Sequence, residues 1–390
     1  MIKGESIICV SNTTWYGKYT KSTVQLMSLL AEYNDVFFIE YPFTVKDIFT
    51  TVIGKQSAPI LRMLGIKKRL KQIKVNGSSV VHHYVMPPVL PINFIKNKKV
   101  FNFLYRLNTR YYRNRVLKGL KVENPIVVNA YNPFYGLPLL GKLKEKLSVY
   151  YCYDGTDVNR YGKRILPIEE AFSKSVDVII TTSDHLKESR IAHNKKTYVV
   201  KNGVDFELFS PFRKKTVSKK NTPKKIGYIG SLDERFDIDC VEHAVRQLPD
   251  FIFEFTGDLR NQTIKERLNN YENVIFFPAI APDEVPALLA TYDLGIIPYI
   301  ANEINKNIYP LKINEFLAVG IPVVMTDFAI LPEFGRFVQT AESKEKFTTL
   351  IASEIDLDTD QKIEERVVFA RSNSWKERAR SFAEILSKYS

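Results

Sequence analysis

The sequence predicts an α/β protein made of two doubly wound, Rossmann-like domains that face each other across a cleft. The chain has 390 residues, which is more than one core of ordinary size needs and is natural for two domains. Short apolar runs of strand length alternate along most of the chain with amphipathic stretches, as in open, mostly parallel sheets. A segment without apolar periodicity, residues 209–223, interrupts this alternation near the middle.

The first half of the chain carries strand and helix signals in alternation. Strands are expected at Ser6–Val10, Val36–Glu40, Val80–Val85, Pro125–Asn129, Ser148–Tyr153, Val176–Thr181 and Thr197–Val200. Helices are expected at Ser22–Ala31, around Leu104–Leu117, and at Asp184–Ile191 with Ser183 as its N-cap. The signals between residues 41 and 122 are weaker than elsewhere.

The second half repeats the pattern after the interruption. Strands are expected at Lys225–Ile229, Phe251–Thr256, Val274–Phe277, Leu294–Pro298 and Pro322–Thr326. The intervening helices are expected at Cys240–Gln247, Ile264–Asn269, Pro282–Ala290 and Leu311–Val319, and a long helix follows Trp375. We therefore predict domains at residues 1–208 and 224–372, with 209–223 as the linker and 373–390 as a final helix. Ligands are expected in the cleft, at the carboxyl ends of the strands.

Composition excludes several classes of protein. Hydrophobic residues make up 45% and charged residues 25%, which argues against a disordered, collagen-like or coiled-coil chain. The three cysteines, Cys9, Cys152 and Cys240, are too widely spaced for a metal site or a disulfide framework, so a reducing compartment is expected. The first residues do not read as a signal peptide, and no apolar run reaches the roughly 18 residues of a membrane span.

The net charge of +13 is concentrated in one segment. Between Asp47 and Glu123 there is no acidic residue, whereas the segment contains sixteen basic ones: Lys55, Arg62, Lys67, Lys68, Arg69, Lys71, Lys74, Lys96, Lys98, Lys99, Arg106, Arg110, Arg113, Arg115, Lys118 and Lys121. Aromatic and apolar residues are interleaved with them. This composition favours an anionic membrane surface as partner over nucleic acid. The alternative is a solvated basic face that only keeps the protein soluble.

The strongest local motif lies between Asn307 and Val324. Pro310 and Leu311 open a predicted helix, where the free N–H groups of the first turn suit an anion such as a diphosphate. Lys312 adds a positive charge at this point, and Glu315 lies one turn later on the same face, where its carboxylate can accept hydrogen bonds from ribose hydroxyls. The alternative is an ordinary helix with an ion pair between these two side chains.

Three further candidates lie in the same half. Gly230 and Ser231 end the first strand of the second domain, where a glycine lets the backbone approach a phosphate, although a plain strand–helix turn would look the same. Arg235 follows and could bind a phosphate bidentately, or be neutralised by the neighbouring aspartates. Tyr299 follows another predicted strand, and two interpretations are open: the ring contacts the ligand, or it only packs against the core.

The candidates in the first half are carboxylates and a loop. Asp154 follows a strand directly and is expected to point into the cleft as a general base, with Asp157 as the only nearby substitute. The alternative for Asp154 is a loop cap. The polar, aromatic loop after the first strand, which contains Trp15, Tyr16, Gly17 and Lys18, is expected on the acceptor side.

Histidines and paired acids give weaker signals. His82 and His83 have no acid nearby in sequence and are interpreted as structural. The Asp-x-Asp pairs at residues 237/239, 356/358 and 358/360 are interpreted as solvated loop charge, so no metal site is predicted.

Taken together, these motifs resemble group 1 (family 4 type) glycosyltransferases with the two-domain GT-B fold. The resemblance rests on Pro310–Val324, and on Val176–Ser183, Val200–Asp205, Ile226–Leu232, Asn273–Phe277 and Tyr292–Pro298 in the family's order, with Ser374-Trp375 before the final helix that crosses back to the first domain. It covers nearly the whole chain. The subgroup it is most similar to builds teichuronic acids, capsules and exopolysaccharides. Many members carry two glutamates separated by seven residues, whereas this chain has Asn307 at the first position and Glu315 at the second.

The resemblance implies a metal-independent hexosyltransferase without a cofactor. Its donor would be a nucleotide diphosphate sugar, most simply a UDP-sugar, bound by the second domain. Its acceptor would be a glycan or a polyprenyl-diphosphate-linked glycan, bound by the first domain at the inner face of the plasma membrane, and nucleic acid is not expected as a partner. Two alternatives stay open: a nucleotide-sugar epimerase on the same fold, and a non-catalytic membrane- or polyanion-binding protein.

Overall fold

The computed structural model describes residues 2–17, 21–156, 158–217, 223–303 and 305–390, without the side chains of Asn159, Arg160 and Asn307. The chain divides into two compact units. The first comprises Met1–Lys201 together with Arg378–Ser390, and the second comprises Asn202–Glu377. Both are α/β units with a largely parallel sheet, which confirms the predicted fold class.

The first unit contains an eight-stranded sheet. Its elements in chain order are β1 (Ser6–Ser11), α1 (Ser22–Leu30), β2 (Asp35–Ile39), α2 (Val45–Val52), α3 (Ile60–Met63), β3 (Leu70–Val75), β4 (Ser79–Tyr84), α4 (Lys98–Gly119), β5 (Ile126–Ala130), α5 (Pro133–Leu139), β6 (Leu147–Cys152), α6 (Val158–Tyr161), α7 (Ile165–Ser175), β7 (Val178–Thr181), α8 (Asp184–Ile191) and β8 (Thr197–Val199). The strand order is β3-β4-β2-β1-β5-β6-β7-β8, and β3 is antiparallel to β4 whereas the other pairs are parallel. The order reverses at β1, so the loops after β1 and β5 border the crevice where ligands bind in such sheets.

Both faces of this sheet are covered, which explains why its strands read as continuous apolar runs. Every residue of β5, β6 and β7 is buried. One face packs against Leu26 and Leu30 of α1, and the other against Tyr112 and Val116 of α4. The predicted cap of α8 is confirmed, since the Ser183 side chain accepts a hydrogen bond from the Leu186 N–H.

The region between residues 41 and 122 differs most from the prediction. The expected helix around Leu104–Leu117 is longer and begins after Asn97, whose side chain accepts hydrogen bonds from two N–H groups of the first turn. The elements α2, α3 and β3 were not predicted, because they are short and contain no run of buried residues.

The second unit contains a six-stranded parallel sheet. Its elements are α9 (Phe206–Phe209), β9 (Lys224–Ile229), α10 (Ile238–Gln247), β10 (Phe251–Thr256), α11 (Gln262–Leu268), β11 (Val274–Phe277), α12 (Val285–Leu289), β12 (Leu294–Ile297), α13 (Leu311–Ala318), β13 (Val323–Thr326), β14 (Val338–Ala341), α14 (Lys344–Asp356) and α15 (Asp360–Ser372), with 3₁₀ turns at Ser210–Phe212, Asn305–Asn307 and Pro332–Phe337. The last helix, α16 (Trp375–Tyr389), begins in this unit and belongs to the first unit from Arg378 onward. The strand order is β11-β10-β9-β12-β13-β14, which reverses between β9 and β12. The loops after these two strands therefore border the expected ligand crevice of this unit.

One prediction in the second half is wrong. Asp358 was expected as solvated loop charge, but both of its carboxylate oxygens accept from Nη2 of the buried Arg366, at 2.7 and 2.8 Å. Within the segment predicted as the linker, Lys214 pairs with Asp293 of the second unit. Among the described residues, no helix is both long and apolar enough to cross a bilayer.

Candidate functional site

Gly230 and Lys312 are in contact in the second unit. Gly230 directly follows β9 and has a φ of +147°, a conformation that favours glycine. A Cβ atom at Gly230 would lie 2.6 Å from Cε of Lys312 and 3.3 Å from its Nζ, so the lysine side chain lies across the Gly230 backbone. Gly257, after β10, packs still more closely against the Gly230 backbone, since a Cβ atom at Gly257 would lie 1.8 Å from the Gly230 carbonyl oxygen. The turns at Gly230 and Gly257 therefore pack together directly below the Lys312 side chain. The sequence analysis did not identify Gly257.

Lys312 stands in the first turn of α13. Pro310 is the N-cap rather than the first helical residue, and Leu311 begins the helix. The first-turn N–H groups of a helix have no partner within the helix, so those of Leu311 and Lys312 add to the positive charge of the ammonium group. Among the described residues, neither Lys312 nor Glu315 takes part in an ion pair. The described structure therefore does not contain the ion pair between these two side chains that was the alternative interpretation.

The Glu315 carboxyl group is one turn beyond Lys312. Burial raises the pKa of Glu315 above its ordinary value, and the positive charge of Lys312 offsets only part of that rise. The helix that carries both side chains is firmly held, because the buried Asn314 donates to the Tyr309 hydroxyl at 3.3 Å and accepts from Asn373 at 3.1 Å. Glu315 is thus a half-buried carboxyl group on a firmly held helix, as expected for a ligand-binding group.

Arg235 and Tyr299 meet at the point where the strand order reverses. The loop after β9 is bridged to the end of β12, with the Ile300 N–H donating to the Arg235 carbonyl at 2.8 Å. The Arg235 guanidinium lies over the Tyr299 ring, 5.5 Å from its centroid, and donates to Asp233 through Nε at 2.9 Å and Nη2 at 2.6 Å. Tyr299 is buried and packs against Phe328.

Asp233 is one of the neighbouring aspartates that the sequence analysis gave as alternative partners of Arg235, in place of a phosphate. Burial opposes its ionisation, but the hydrogen bonds and charge of Arg235 outweigh this, so the pKa of Asp233 lies below its ordinary value. An ionised Asp233 neutralises Arg235, and any phosphate would have to share the guanidinium with it. Ser231 is half-buried, and its carbonyl accepts from the Tyr228 hydroxyl at 2.8 Å.

In the first unit, Asp154 is exposed in the loop after β6, which ends one residue earlier than predicted. Its Oδ1 accepts from the Gly155 N–H at 2.8 Å. Asp157 lies outside the described residues. A short loop of this kind can carry a general base only if it is held in place.

A buried network that sequence reasoning missed holds this loop. Glu169 accepts through Oε1 from the Tyr150 hydroxyl and from Nη2 of Arg190, each at 2.7 Å. Its other oxygen accepts from the Thr156 hydroxyl, which in turn accepts from Arg190 at 3.1 Å. The loop that carries Asp154 is therefore anchored at Thr156 by a carboxylate and a guanidinium.

The loop after β1 contains the residues predicted for the acceptor side. Trp15 is buried, Tyr16 is 59% exposed and Gly17 is exposed, while Lys18 lies outside the described residues. Lys21 holds this loop, since its ammonium group donates to the carbonyl oxygens of Thr14 at 2.6 Å and Tyr16 at 2.7 Å. The loop presents Tyr16 to solvent beside the point where the strand order of this sheet reverses.

An open groove of about 370 Å³ lies at the carboxyl edge of the same sheet. It is formed by segments that follow β2, β4, β5 and β6 and is lined by aromatic and polar side chains: Tyr41, Thr44, Asp47, Thr50, Gln56, Asn93, Phe94, Phe134, Tyr135 and Tyr161. Aromatic faces and hydrogen-bonding groups are the two features that recognise sugars. Among the described residues, no cluster of His, Cys, Asp and Glu is placed to hold a metal ion.

The fold of the two units is the GT-B fold. A trehalose-6-phosphate synthase, OtsA, aligns with 98% of this chain and 99% of its own at a TM-score of 0.70 and 10% identity. A sucrose-phosphate synthase from Thermosynechococcus elongatus aligns with 98% of both chains at a TM-score of 0.67 and 14% identity. At such identities the similarity concerns the fold alone.

The family model of the group 1 glycosyl transferases matches residues 223–353 of this chain, and the resemblance predicted from the sequence is thereby confirmed. This segment contains Gly230, Lys312 and Glu315.

Two curated relatives are similar over parts of the chain. TuaH of Bacillus subtilis (strain 168), provisionally named a teichuronic acid biosynthesis glycosyltransferase, is 29% identical over 255 residues, which is 59% of this chain and 64% of TuaH. WcaL of Escherichia coli (strain K12), provisionally named a colanic acid biosynthesis glycosyltransferase, is 30% identical over 228 residues, which is 56% of this chain and 48% of WcaL. The matched segments thus span about half to two thirds of these relatives.

Proposed function

We propose that this protein is a glycosyltransferase that moves a hexosyl group from a UDP-sugar, or a related nucleotide diphosphate sugar, to a hydroxyl of a surface-polysaccharide acceptor. The observation that carries the proposal is the ammonium group of Lys312 lying across the Gly230 turn at the start of α13. This arrangement lies in the segment that matches group 1 glycosyl transferases. The names of the two relatives support the polysaccharide class of the acceptor.

The chemistry requires that the departing diphosphate be stabilised, and in this proposal the protein's own groups do so. As the bond from the anomeric carbon to the diphosphate oxygen breaks, negative charge builds up on that oxygen. Lys312 and the first-turn N–H groups of α13 would stabilise this charge, and Gly230 leaves the backbone open to a phosphate. Glu315 would accept hydrogen bonds from the ribose hydroxyls through its carboxyl oxygens.

The first unit would bind the acceptor. The aromatic groove after β2 and β4 suits a glycan or the glycan end of a polyprenyl diphosphate. Asp154 would take the proton from the attacking hydroxyl. The anchored loop of Asp154 supports this role, because a base must be held in a defined position.

We further propose that the first unit binds the anionic inner face of the plasma membrane. Thirteen of the sixteen basic residues between positions 55 and 121 are exposed, and none of the sixteen forms an ion pair with a described residue. Large apolar side chains are exposed in the same region, including Phe49, Val52, Phe94 and Phe103, which are 62–75% exposed. Exposed bases with exposed aromatics are typical of proteins that lie on a membrane surface.

The test of the donor site begins with a screen of nucleotide sugars for thermal stabilisation. A ligand that binds only the folded state at about 100 times its Kd stabilises it by about 2.7 kcal/mol. For the nucleotide sugar that stabilises most, release of the nucleotide diphosphate is then measured for wild type, Lys312→Ala and Lys344→Ala. Lys344 is a first-turn lysine of α14 in the same unit and serves as the matched control.

We expect Lys312→Ala to lower turnover by about 10- to 150-fold, because a lost charged hydrogen bond costs about 1.5–3 kcal/mol, while Lys344→Ala stays at the wild-type level. Equal turnover in all three proteins would refute the assigned role of Lys312. Isomerised sugar without nucleotide release would favour the epimerase. Vesicle binding without any donor turnover would favour the non-catalytic alternative.

A further inference from the structure

A buried cluster of charged and polar groups lies beneath the loop after β1, and neither the donor site nor the proposed base uses it. It joins Glu40, which follows β2, His83 of β4 and Arg62 of α3. Nε2 of His83 lies 2.5 Å from Oε2 of Glu40, and both side chains are almost fully buried, at 1% and 3% exposure. Nη1 of Arg62 lies 2.9 Å from Nδ1 of His83, and its Nη2 donates to the His83 carbonyl at 2.7 Å.

The chemistry of the three groups assigns the proton. A guanidinium has only donors, so Nδ1 of His83 must be the acceptor of the Arg62 hydrogen bond. The proton of the neutral ring is therefore on Nε2 and is donated to Glu40. The neutral His83 ring, protonated on Nε2, therefore lies between the positively charged Arg62 and the negatively charged Glu40.

The Glu40 carboxylate connects this cluster to the loop. Its Oε1 accepts from the N–H groups of Trp15 and Tyr41, each at 3.1 Å, and its Oε2 lies 3.2 Å from the Trp15 nitrogen. The Trp15 ring packs edge-on against Phe38 at 4.9 Å. All of these partners of Glu40 are donors, so only an ionised carboxylate satisfies the whole set.

We infer that Glu40, oriented by His83 and Arg62, is a positioning residue that holds the loop Trp15–Gly17 in the conformation that receives the acceptor. Glu40 and His83 are too deeply buried to touch a substrate, so they act through the loop. The loop follows β1, where the strand order reverses, and it presents the exposed Tyr16. The inference rests on the proposed function and adds to it the part of the first unit that determines acceptor binding.

The test uses Glu40→Gln in the full-length protein. In this variant the NH₂ group of the glutamine faces at least one of the N–H groups that donate to Glu40 in the wild type. Two donors cannot form a hydrogen bond, so we expect the loop to lose its contact with residue 40. We expect the KM for a glycan acceptor to rise by about 10- to 100-fold, with kcat at saturating acceptor and nucleotide release to water both unchanged. His82→Gln is the matched control, because His82 neighbours His83 on the same strand but stacks on Phe37 outside the cluster.

A second readout does not depend on activity. Trp15 and Trp375 are the two tryptophans of the chain, so Trp375→Phe leaves Trp15 as the only indole. In that background, Glu40→Gln should shift the Trp15 emission to the red and raise its quenching by acrylamide, while His82→Gln should do neither. In the wild-type protein, ¹⁵N NMR should show His83 neutral and protonated on Nε2.

Should Glu40→Gln fail to fold, His83→Ala replaces it, because alanine removes both the ring N–H that donates to Glu40 and the ring nitrogen that accepts from Arg62. A red shift smaller than that of an unfolded chain, with a raised acceptor KM, supports the inference. Unchanged Trp15 emission and KM in the folded variants, or equal losses in His82→Gln, overturn it. Absence of donor turnover in the wild type would refute the proposed function, and the Trp15 emission would still decide whether Glu40 holds the loop.

Discussion

The contact between Gly230 and Lys312 predicts that Gly230→Ala acts through the lysine. The added methyl group would lie 2.6 Å from Cε of Lys312, which is closer than such atoms approach, so the lysine side chain must move away. The variant also forces alanine to adopt a φ of +147°. The substitution therefore has a backbone cost and a separate steric cost.

The two costs can be estimated separately. Backbone in a region reserved for glycine costs about 1–3 kcal/mol, and pushing a side chain off its rotamer costs about 0.5–1.5 kcal/mol. For a unit of this size each kcal/mol lowers the Tm by about 2–4 °C. Nucleotide affinity should fall by about 10-fold or more, because the Lys312 ammonium group leaves its place above the turn.

The assay is a double-mutant cycle of wild type, Gly230→Ala, Lys312→Ala and the double variant, followed by thermal unfolding and nucleotide titration. In the Lys312→Ala background the clash with the lysine is absent and only the 3.3 Å approach to the Tyr228 hydroxyl is left, so Gly230→Ala should cost less stability and should no longer weaken nucleotide binding. Gly335→Ala is the control for backbone strain alone, since Gly335 has a φ of +43° and no atom lies within 4 Å of its Cβ position. Equal stability losses for Gly230→Ala in both backgrounds would refute the contact.

Three further predictions concern Glu315, Asp154 and the basic segment. Burial raises the pKa of Glu315, so the ionised carboxylate destabilises the folded state once the pH exceeds the ordinary pKa of 4.5. Glu315→Gln should therefore have a larger free energy of unfolding than wild type at pH 7 and an equal one near pH 4. A difference in unfolding free energy that does not change with pH would contradict this. Asp154→Asn should keep the fold and donor affinity but lower transfer by about 10²–10⁴, and normal transfer beside an inactive Asp157→Asn variant would move the role to Asp157. Replacing Lys98 and Lys99 with alanine should weaken binding to anionic vesicles by about 30-fold at low salt, because each lysine contributes about 1 kcal/mol. Replacing Lys344 and Lys346 in the second unit should leave vesicle binding unchanged. Equal binding of the wild type to neutral and anionic vesicles would show that the basic face is only solvated.

Strand and helix positions were predictable wherever the apolar pattern is strong. The limits of β10, β11 and α8 agree with the prediction residue for residue, because β10 and β11 are apolar or mostly apolar runs of strand length and α8 begins after a capping serine. The elements α2, α3 and β3 were missed because they are short and contain no run of buried residues. The same signal that selected Asp154, an acid directly after an apolar strand, was also present at Glu40, which was assigned to the strand itself.

The sequence by itself determined the two parallel sheets, the helix start at Pro310–Lys312 and the concentration of positive charge in the first half, because each follows from the spacing of residues near one another in the chain. Only the tertiary structure decided that Lys312 lies across Gly230, that Gly257 lies beneath it, and that Glu40, His83 and Arg62 form one cluster. The physical reason is that the order of strands in a sheet, rather than their order in the chain, determines which loops become neighbours. Periodicity along the chain records which face of an element is buried, but it carries no record of the partner that buries it.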